Sequence, residues 1–392
     1  MTPSTHGVAS DLATLVERYD PAVFDHGRPS ARVRLRGGDP DPVDVLLEAS
    51  TATLVPADTT RRPDAVLTGD TETWAVIAQD LRGGMEAFRA GRLSVRHDLH
   101  LGVGFLAATA GAPPDEGLRF RHVQTPAGAL SVTEAGSGPP VLLLHGLGAT
   151  KVSFLPTVAA LADRHRAIAV DLPGFGDSDK PLRAPYHAAY FAAAMTGLLD
   201  ALEIERADVV GNSMGGRVAI EMGLRTPERV RRLGLLAPSL AWLRDRPWAP
   251  WLRLVVPQLG FIQPAPRVVV EAIARQVVPG GRDGWAAAGV DEFLRSYLEP
   301  RGRAAFYGAA RNIYLEEPHG PKGFWTRLPE LQPPSLFVWG RQDGLVPIRF
   351  AGHVRRALPA AKHLELNCGH VPQLERPRET HAALLRFLNA RG

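Results

Sequence analysis

Short apolar runs alternate with amphipathic stretches through residues 118–392. Apolar residues that are not interrupted by polar ones are typical of strands buried on both faces of a parallel sheet. Six runs have this pattern: Val141–Leu144, Ala167–Val170, Asp208–Val210, Val230–Leu236, Ser335–Trp339 and His363–Leu366. Stretches with apolar residues at helical spacing separate most of them. This alternation predicts an α/β region with a mostly parallel sheet and helices on both faces.

The same region departs from the alternation in two places. Leu118–Val123 and Leu130–Glu134 lie on either side of a Pro-Ala-Gly turn and predict an antiparallel hairpin at the edge of the sheet. Residues 239–330 contain several helix candidates, no clear strand, and many Trp, Pro, Leu and Val residues. An insertion of this size predicts a helical cap over the strand ends.

Residues 11–112 mix short strand and helix patterns. The predicted strands are Ala31–Arg36, Val43–Ala49, Ala52–Val55, Ala65–Leu67 and Leu93–Arg96. The predicted helices are Ser10–Tyr19, one that starts near Thr71, Met85–Ala90 and Leu99–Ala110. The Pro- and Gly-rich stretch Gly111–Gly117 then ends the helical pattern. We therefore predict a small α+β domain at residues 11–112 and an α/β domain at residues 118–392.

Composition and charge narrow the function classes. The chain has 392 residues, of which 45% are hydrophobic, and a net charge of +4 spread along the sequence. It has no basic arm or zinc-ligand spacing, so no nucleic-acid partner is expected. Its mild positive charge is compatible with a transient contact with an anionic membrane surface. It has no apolar run of 18 residues, so no transmembrane helix is predicted.

The cysteine count and the N-terminal residues predict the cellular compartment. Cys368 is the single cysteine, so no intramolecular disulfide can form and a reducing compartment is favoured. The N-terminus lacks a basic stretch followed by an apolar one, which predicts no signal peptide. We therefore expect a cytoplasmic protein, and the residues suggest no cofactor and no metal.

The motif Gly211-Asn212-Ser213-Met214-Gly215 connects a predicted strand to a predicted helix. A G-x-S-x-G sequence in this setting places the serine on a sharp, strained turn with its hydroxyl exposed above the sheet. Small flanking residues allow the turn to pass close to neighbouring elements, and the helix N-terminus favours negative charge nearby. Ser213 is therefore the predicted nucleophile of a hydrolytic enzyme.

A serine hydroxyl needs a base to become a good nucleophile. Asp343 follows the predicted strand Ser335–Trp339, and His370 follows the predicted strand His363–Leu366, so both belong at the sheet edge where catalytic groups gather. The chain order serine, acid, histidine is the one that this motif has on α/β sheets. His370 is the predicted base, and Asp343 is predicted to hold its tautomer and stabilise its charged form.

Backbone amides and two other side chains complete the candidate site. The amides of Leu147 and Met214 are the predicted donors to the oxyanion, since glycines around Leu147 allow the backbone to bend toward a reacting oxygen. His145 precedes the nucleophile in the chain and is interpreted as a buried structural histidine. Cys368 is too close to His370 in sequence for a cysteine–histidine pair to flank a substrate carbon.

Residues 118–392 resemble the α/β-hydrolase family. The resemblance rests on five stretches in family order: His145–Gly148, Asp171–Ser178, Gly211–Gly216, Gly340–Asp343 and Gly369–Pro377. Dehalogenases and epoxide hydrolases of this family have an aspartate as nucleophile, so Ser213 implies ester-type hydrolysis. The sequence Gly-Asn-Ser-Met-Gly-Gly is also similar to carbon–carbon bond hydrolases that split ring-cleavage products, which usually have a tryptophan where this chain has Val371.

Residues 11–112 resemble the sterol-carrier-protein-type lipid-binding domain. The similar stretches are Asp64–Trp74 and Gly84–Val95, followed by an apolar helix. The resemblance implies that this domain holds an acyl chain or sterol in an apolar tunnel. Together the two domains suggest a serine hydrolase that cleaves an ester or thioester of an apolar acyl lipid. A carbon–carbon hydrolase, an acyltransferase, and a lipid carrier with an idle hydrolase domain are the alternatives.

Overall fold

A computed structural model describes residues 6–37, 42–79, 87, 92–111, 117–241, 254, 256–262, 268 and 284–390. The chain divides into two compact units. The first unit contains residues 1–122 and 266–295, and the second contains residues 123–265 and 296–392.

The first unit is built around a five-stranded mixed sheet. Its strands are Ser30–Arg36 (β1), Val43–Glu48 (β2), Ala52–Pro56 (β3), Ala65–Thr68 (β4) and Ser94–Arg96 (β5), in the order β3-β2-β1-β4-β5. The strand β1 is antiparallel to β2 and parallel to β4. The helices described in its N-terminal portion are His6–Glu17 (α1), Thr71–Gln79 (α2) and Leu99–Ala108 (α3).

The helix α3 shows how the sequence sets the interior of this unit. Asp98 caps its N-terminus by accepting a hydrogen bond from the Leu101 amide at 2.8 Å. Nearly every residue of α3 is buried, as its apolar composition predicts. The predicted strands of this region form within two residues of their expected ends, whereas the predicted helix Met85–Ala90 lies outside the described residues, apart from Ala87.

The second unit contains most of an eight-stranded sheet in the order β13-β12-β11-β10-β8-β9-β7-β6. The strands are Arg119–Thr125 (β6), Gly128–Ala135 (β7), Pro140–Leu144 (β8), Arg166–Val170 (β9), Ala207–Asn212 (β10), Val230–Leu236 (β11), Ser335–Gly340 (β12) and Lys362–Leu366 (β13). The strands from β13 to β9 are parallel to their neighbours, and β7 is antiparallel to β9. The predicted mostly parallel sheet is therefore confirmed.

The described helices after β6, one of which lies largely in the first unit, follow in chain order. They are Leu155–Leu161 (α4), Ala188–Ala201 (α5), Met214–Arg225 (α6), Gly284–Leu298 (α7), Pro300–Tyr314 (α8), Phe324–Arg327 (α9), Phe350–Ala357 (α10), Pro372–Glu375 (α11) and Pro377–Leu388 (α12). Single 3-10 turns occur at Lys151–Phe154, Pro227–Arg229, Pro257–Phe261 and Leu328–Glu330. The central strands β10 and β12 are buried at every position, as the apolar runs predicted.

In the described part of the insertion predicted at residues 239–330, the regular secondary structure is helical, and residues 315–323 form a loop. Its tryptophan-rich stretch, including Trp242, Trp248 and Trp251, lies outside the described residues. Residues 266–295 belong to the first unit, where Asp291 of α7 accepts hydrogen bonds from the Arg96 side chain at 2.7 Å and the His97 amide at 3.0 Å. Within the part of the chain that is described, no helix is long and apolar enough to cross a membrane.

Candidate active site

Ser213 lies on a tight turn between β10 and α6. Its backbone has φ +53° and ψ −116°, a conformation that a residue with a side chain adopts only under constraint. A Cβ atom on Gly215 would lie 2.0 Å from the Leu144 carbonyl oxygen, and one on Gly211 would lie 2.3 Å from the Gly215 carbonyl carbon. The two glycines therefore allow a turn that any side chain would block.

Backbone hydrogen bonds attach the Ser213 turn to the next strand. The Ser213 amide donates to the Leu236 carbonyl at 3.0 Å, and the Ser239 amide donates to the Ser213 carbonyl at 2.9 Å. Met214 is the first residue of α6, so its amide has no partner within the helix. A Cβ atom on Gly146 would lie only 3.2 Å from the Ser213 Cβ, which places the Gly146-Leu147 turn beside the serine.

Asp343 and His370 form a hydrogen-bonded pair, with 2.8 Å between His370 Nδ1 and Asp343 Oδ2. The Asp343 side chain is fully buried, and its other oxygen accepts hydrogen bonds from the amides of Leu345 and Val346, both at 2.8 Å. The carboxylate is therefore fixed by its own loop before it contacts the imidazole. The sequence analysis predicted this pairing from the strand that precedes each residue and from the chain order.

Two side chains that the sequence analysis did not assign hold the loop of His370. Glu375 accepts hydrogen bonds from the amides of Gly369 at 2.7 Å and Val371 at 3.0 Å. Asn212 donates through Nδ2 to the carbonyl of His370 at 3.1 Å and to that of Leu236 at 3.0 Å. Since Asn212 immediately precedes the serine, this bond ties the histidine loop to the Ser213 turn. Both residues lie inside the quoted motifs, which is the signal that could have found them.

The hydroxyl of Ser213 has a different partner from the one expected. Its Oγ forms a hydrogen bond with Ser239 Oγ at 3.2 Å, and both residues are buried. The imidazole of His370 bonds to Asp343 through Nδ1, which leaves Nε2 as the atom that would accept the Ser213 proton. Hydrogen bonds between a nucleophile and its base are often completed only when substrate is bound. The structure therefore places Asp343 and His370 together, and the side chain of Asn212 bonds the Ser213 turn to the histidine loop.

The competing candidates have structural roles. His145 is completely buried, and burial lowers the pKa of its imidazole, which accepts a hydrogen bond from the Leu172 amide at 3.0 Å. Asp171 accepts a hydrogen bond from the buried Lys151 ammonium at 2.6 Å. Burial and nearby carboxylates raise the pKa of the Cys368 thiol to about 11, so it is protonated at neutral pH.

Comparison with known proteins agrees with this architecture. The profile of the α/β hydrolase fold matches residues 139–277. An uncharacterised protein of Mycobacterium tuberculosis is 33% identical over 71% of this chain and 82% of its own length. The 2-hydroxymuconate semialdehyde hydrolase of a Pseudomonas species is 29% identical over 66% of this chain and 87% of its own length.

A solved structure, described as a membrane phospholipase A and bacterial virulence factor, superposes with a TM-score of 0.57. It is 28% identical, and the match covers 70% of this chain and 87% of that protein. The profile, the relatives and the shared fold place this chain in the α/β-hydrolase family.

Proposed function

We propose that the protein is a serine hydrolase that cleaves a carboxylic ester or thioester of an apolar acyl substrate. The observation that carries this proposal is the constrained Ser213 turn, which Asn212 ties to the loop of the Asp343–His370 pair. A serine nucleophile, a histidine base and a buried acid are the groups that acyl transfer requires.

The geometry supports a two-step reaction. Ser213 Oγ attacks the carbonyl carbon while His370 accepts its proton, and the Leu147 and Met214 amides donate hydrogen bonds to the oxygen that becomes negative. His370 then protonates the leaving alcohol or thiol as its bond to carbon breaks. A water molecule, deprotonated by His370, attacks the acyl-enzyme and releases a carboxylic acid and free Ser213. Asp343 stabilises the charged imidazole in both steps.

The apolar character of the substrate is inferred from the insertion and from the first domain. Apolar side chains are exposed in the described part of the insertion, including Phe261 at 51% and Ile262 at 67%. A membrane phospholipase A is among the similar structures. Because residues 11–112 resemble lipid-binding domains, the proposal includes binding of an acyl lipid by the first domain. Mass spectrometry of lipid that copurifies with the Ser213→Ala protein tests this part, and recovery of none would contradict it.

Carbon–carbon bond hydrolysis is the second candidate. It is favoured by the similarity to a 2-hydroxymuconate semialdehyde hydrolase and by Asn212 in front of the serine. Val371, where tryptophan is usual in those enzymes, favours the ester hydrolase instead.

Covalent labelling with a fluorophosphonate probe tests the shared mechanism. We expect the wild-type protein to be labelled and the Ser213→Ala and His370→Ala variants to remain unlabelled. The Ser239→Ala variant is expected to retain labelling, which separates the nucleophile from its neighbour. If the folded wild-type protein takes no label but contains bound lipid, the enzyme proposal is wrong and the protein is a lipid carrier.

Turnover of p-nitrophenyl esters with acyl chains of two to sixteen carbons then separates the two reactions. An increase in kcat/KM with chain length supports an apolar ester substrate. Turnover of a 2-hydroxy-6-oxo-dienoate without any ester turnover would instead establish carbon–carbon bond hydrolysis.

A further inference from the structure

A pair of hydroxyl groups, from Ser239 and Tyr314, lies against the nucleophile. Ser239 Oγ is 3.2 Å from Ser213 Oγ. Burial raises the pKa of Tyr314, and hydrogen bonds with Ser239 and Ser213 oppose that rise. The phenol is therefore neutral at physiological pH and remains a hydrogen-bond donor. Three hydroxyls of Ser213, Ser239 and Tyr314 thus form one cluster.

The chain just after Tyr314 is bonded to the helix that follows the nucleophile. Two residues after Tyr314, the Glu316 carboxylate pairs with the guanidinium of Arg217, which is almost fully buried in α6. Arg217 also lies over the ring of Phe324 at 4.8 Å from its centroid and bonds to Glu221 at 2.8 Å.

The substituents of the tetrahedral intermediate indicate what the hydroxyl pair faces. Such a carbon carries the serine oxygen, the oxyanion, the leaving group and the acyl chain. The amides of Leu147 and Met214 are assigned to the oxyanion, and His370 is assigned to the leaving group. The acyl side therefore remains for Ser239 and Tyr314. When Ser213 turns to the substrate, the two hydroxyls lose their bonds to its Oγ, and an alkyl chain offers no replacement, which opposes a plain acyl group.

We propose that Ser239 and Tyr314 recognise an oxygen atom on the substrate carbon adjacent to the scissile carbonyl, so that the enzyme prefers 2-hydroxy or 2-oxo acyl substrates. This inference rests on the proposed serine-hydrolase function. In the free protein the same hydroxyls bond to Ser213. When the substrate oxygen replaces Ser213 Oγ as the partner of these hydroxyls, the Ser213 hydroxyl becomes free to donate to His370.

Paired substrates test this inference. The kcat/KM of p-nitrophenyl 2-hydroxyhexanoate and p-nitrophenyl hexanoate is measured for the wild-type, Tyr314→Phe and Ser239→Ala proteins. We expect each variant to lose about tenfold on the hydroxylated ester and less than about threefold on the plain ester, because one substrate hydrogen bond is removed. Ser239→Thr, which keeps a hydroxyl, is expected to retain the preference.

Tyr307→Phe is the matched control, since Tyr307 also lies on α8 but its hydroxyl bonds to Tyr297 at 2.8 Å. It should leave both esters unaffected. Equal losses on the two esters in the test variants, or no loss on either, would overturn substrate recognition by the hydroxyl pair while leaving the proposed function intact. Failure of the wild-type protein to hydrolyse either ester would remove the proposed function and this inference together.

Discussion

Ser213 and His370 lie on two loops that are held by different forces. The Ser213 turn is set by backbone packing, since Gly211 and Gly215 approach neighbouring backbone atoms too closely for any Cβ. The His370 loop is held by side chains as well, with Glu375, Asn212 and Asp343 bonded to its amides, carbonyl and ring. Steric constraints are local and all-or-none, whereas hydrogen bonds can be removed one at a time. The two halves of the site should therefore fail differently when they are mutated.

The largest expected effect is a fall in kcat when Asp343, the partner of His370, is changed. Asp343→Asn keeps an oxygen for the Leu345 and Val346 amides but loses the charge that stabilises the protonated imidazole. We expect kcat for an ester to fall by about 10⁴-fold, on the order of 5 kcal/mol, with the fold retained. Steady-state kinetics with circular dichroism checks this. A loss of less than tenfold would remove Asp343 from the mechanism.

Gly215→Ala tests the backbone-held turn. Its Cβ would overlap the Leu144 carbonyl oxygen, so the turn must shift, and we expect the free energy of unfolding to fall by about 4 kcal/mol. Chemical denaturation measures the change. Gly352→Ala, in α10 with open space around the added Cβ, is the control and should change stability by no more than about 1 kcal/mol. Similar effects at both positions would contradict the steric account.

Acid should loosen the helix behind Ser213. Burial raises the pKa of Glu221, but Arg217, Arg327 and Arg225 outweigh it and lower the pKa to about 2. Because the folded-state pKa lies below the unfolded one, near 4.5, the stabilisation is complete above pH 4.5 and is lost as the pH falls toward 2. A shift of this size corresponds to about 3 kcal/mol.

Denaturation of the wild-type and Glu221→Gln proteins between pH 6 and pH 2 measures this contribution. The difference in unfolding free energy should shrink as the pH falls, while exposed Glu228→Gln should match the wild type throughout. A difference that stays constant with pH would show that the carboxylate charge is not the cause.

The smallest effect is expected at Glu375. Glutamine offers one acceptor oxygen in place of two, so one of the Gly369 and Val371 amides loses its partner and the histidine loop loosens. We expect kcat to fall about tenfold with little change in KM or melting temperature. Glu379→Gln, an exposed change in the next helix, should have no effect. Unchanged kcat in Glu375→Gln would mean that other bonds hold the loop.

Sequence patterns predicted the sheet and the Ser213 turn because both are encoded locally. Apolar runs define β8 to β13 one strand at a time, and the glycines around Ser213 stand within two residues of it. The order of Asp343 and His370 after two such runs predicted their pairing, and the structure has a 2.8 Å hydrogen bond between them. Their catalytic roles stay a prediction.

The remaining site groups could not be predicted because they meet through tertiary packing. Ser239 reaches Ser213 only because the segment after β11 returns beside the turn. Tyr314 comes from a helix of the insertion, and its periodicity indicates a helix without indicating what its last residue contacts. Asn212 was visible in the motif, but its bond to the His370 carbonyl depends on two loops that are distant in sequence.

The buried Cys368 has a practical consequence for experiments that follow motions within the protein. With a pKa of about 11, about one thiol in 10⁴ is ionised at pH 7, and the side chain is 3% exposed. A cysteine introduced at an exposed surface position should react with maleimides far faster than the native thiol. Fluorescent or spin labels can therefore be attached singly or in pairs to an otherwise wild-type chain. Distances within and between the two units then become measurable during turnover, without first removing a native cysteine.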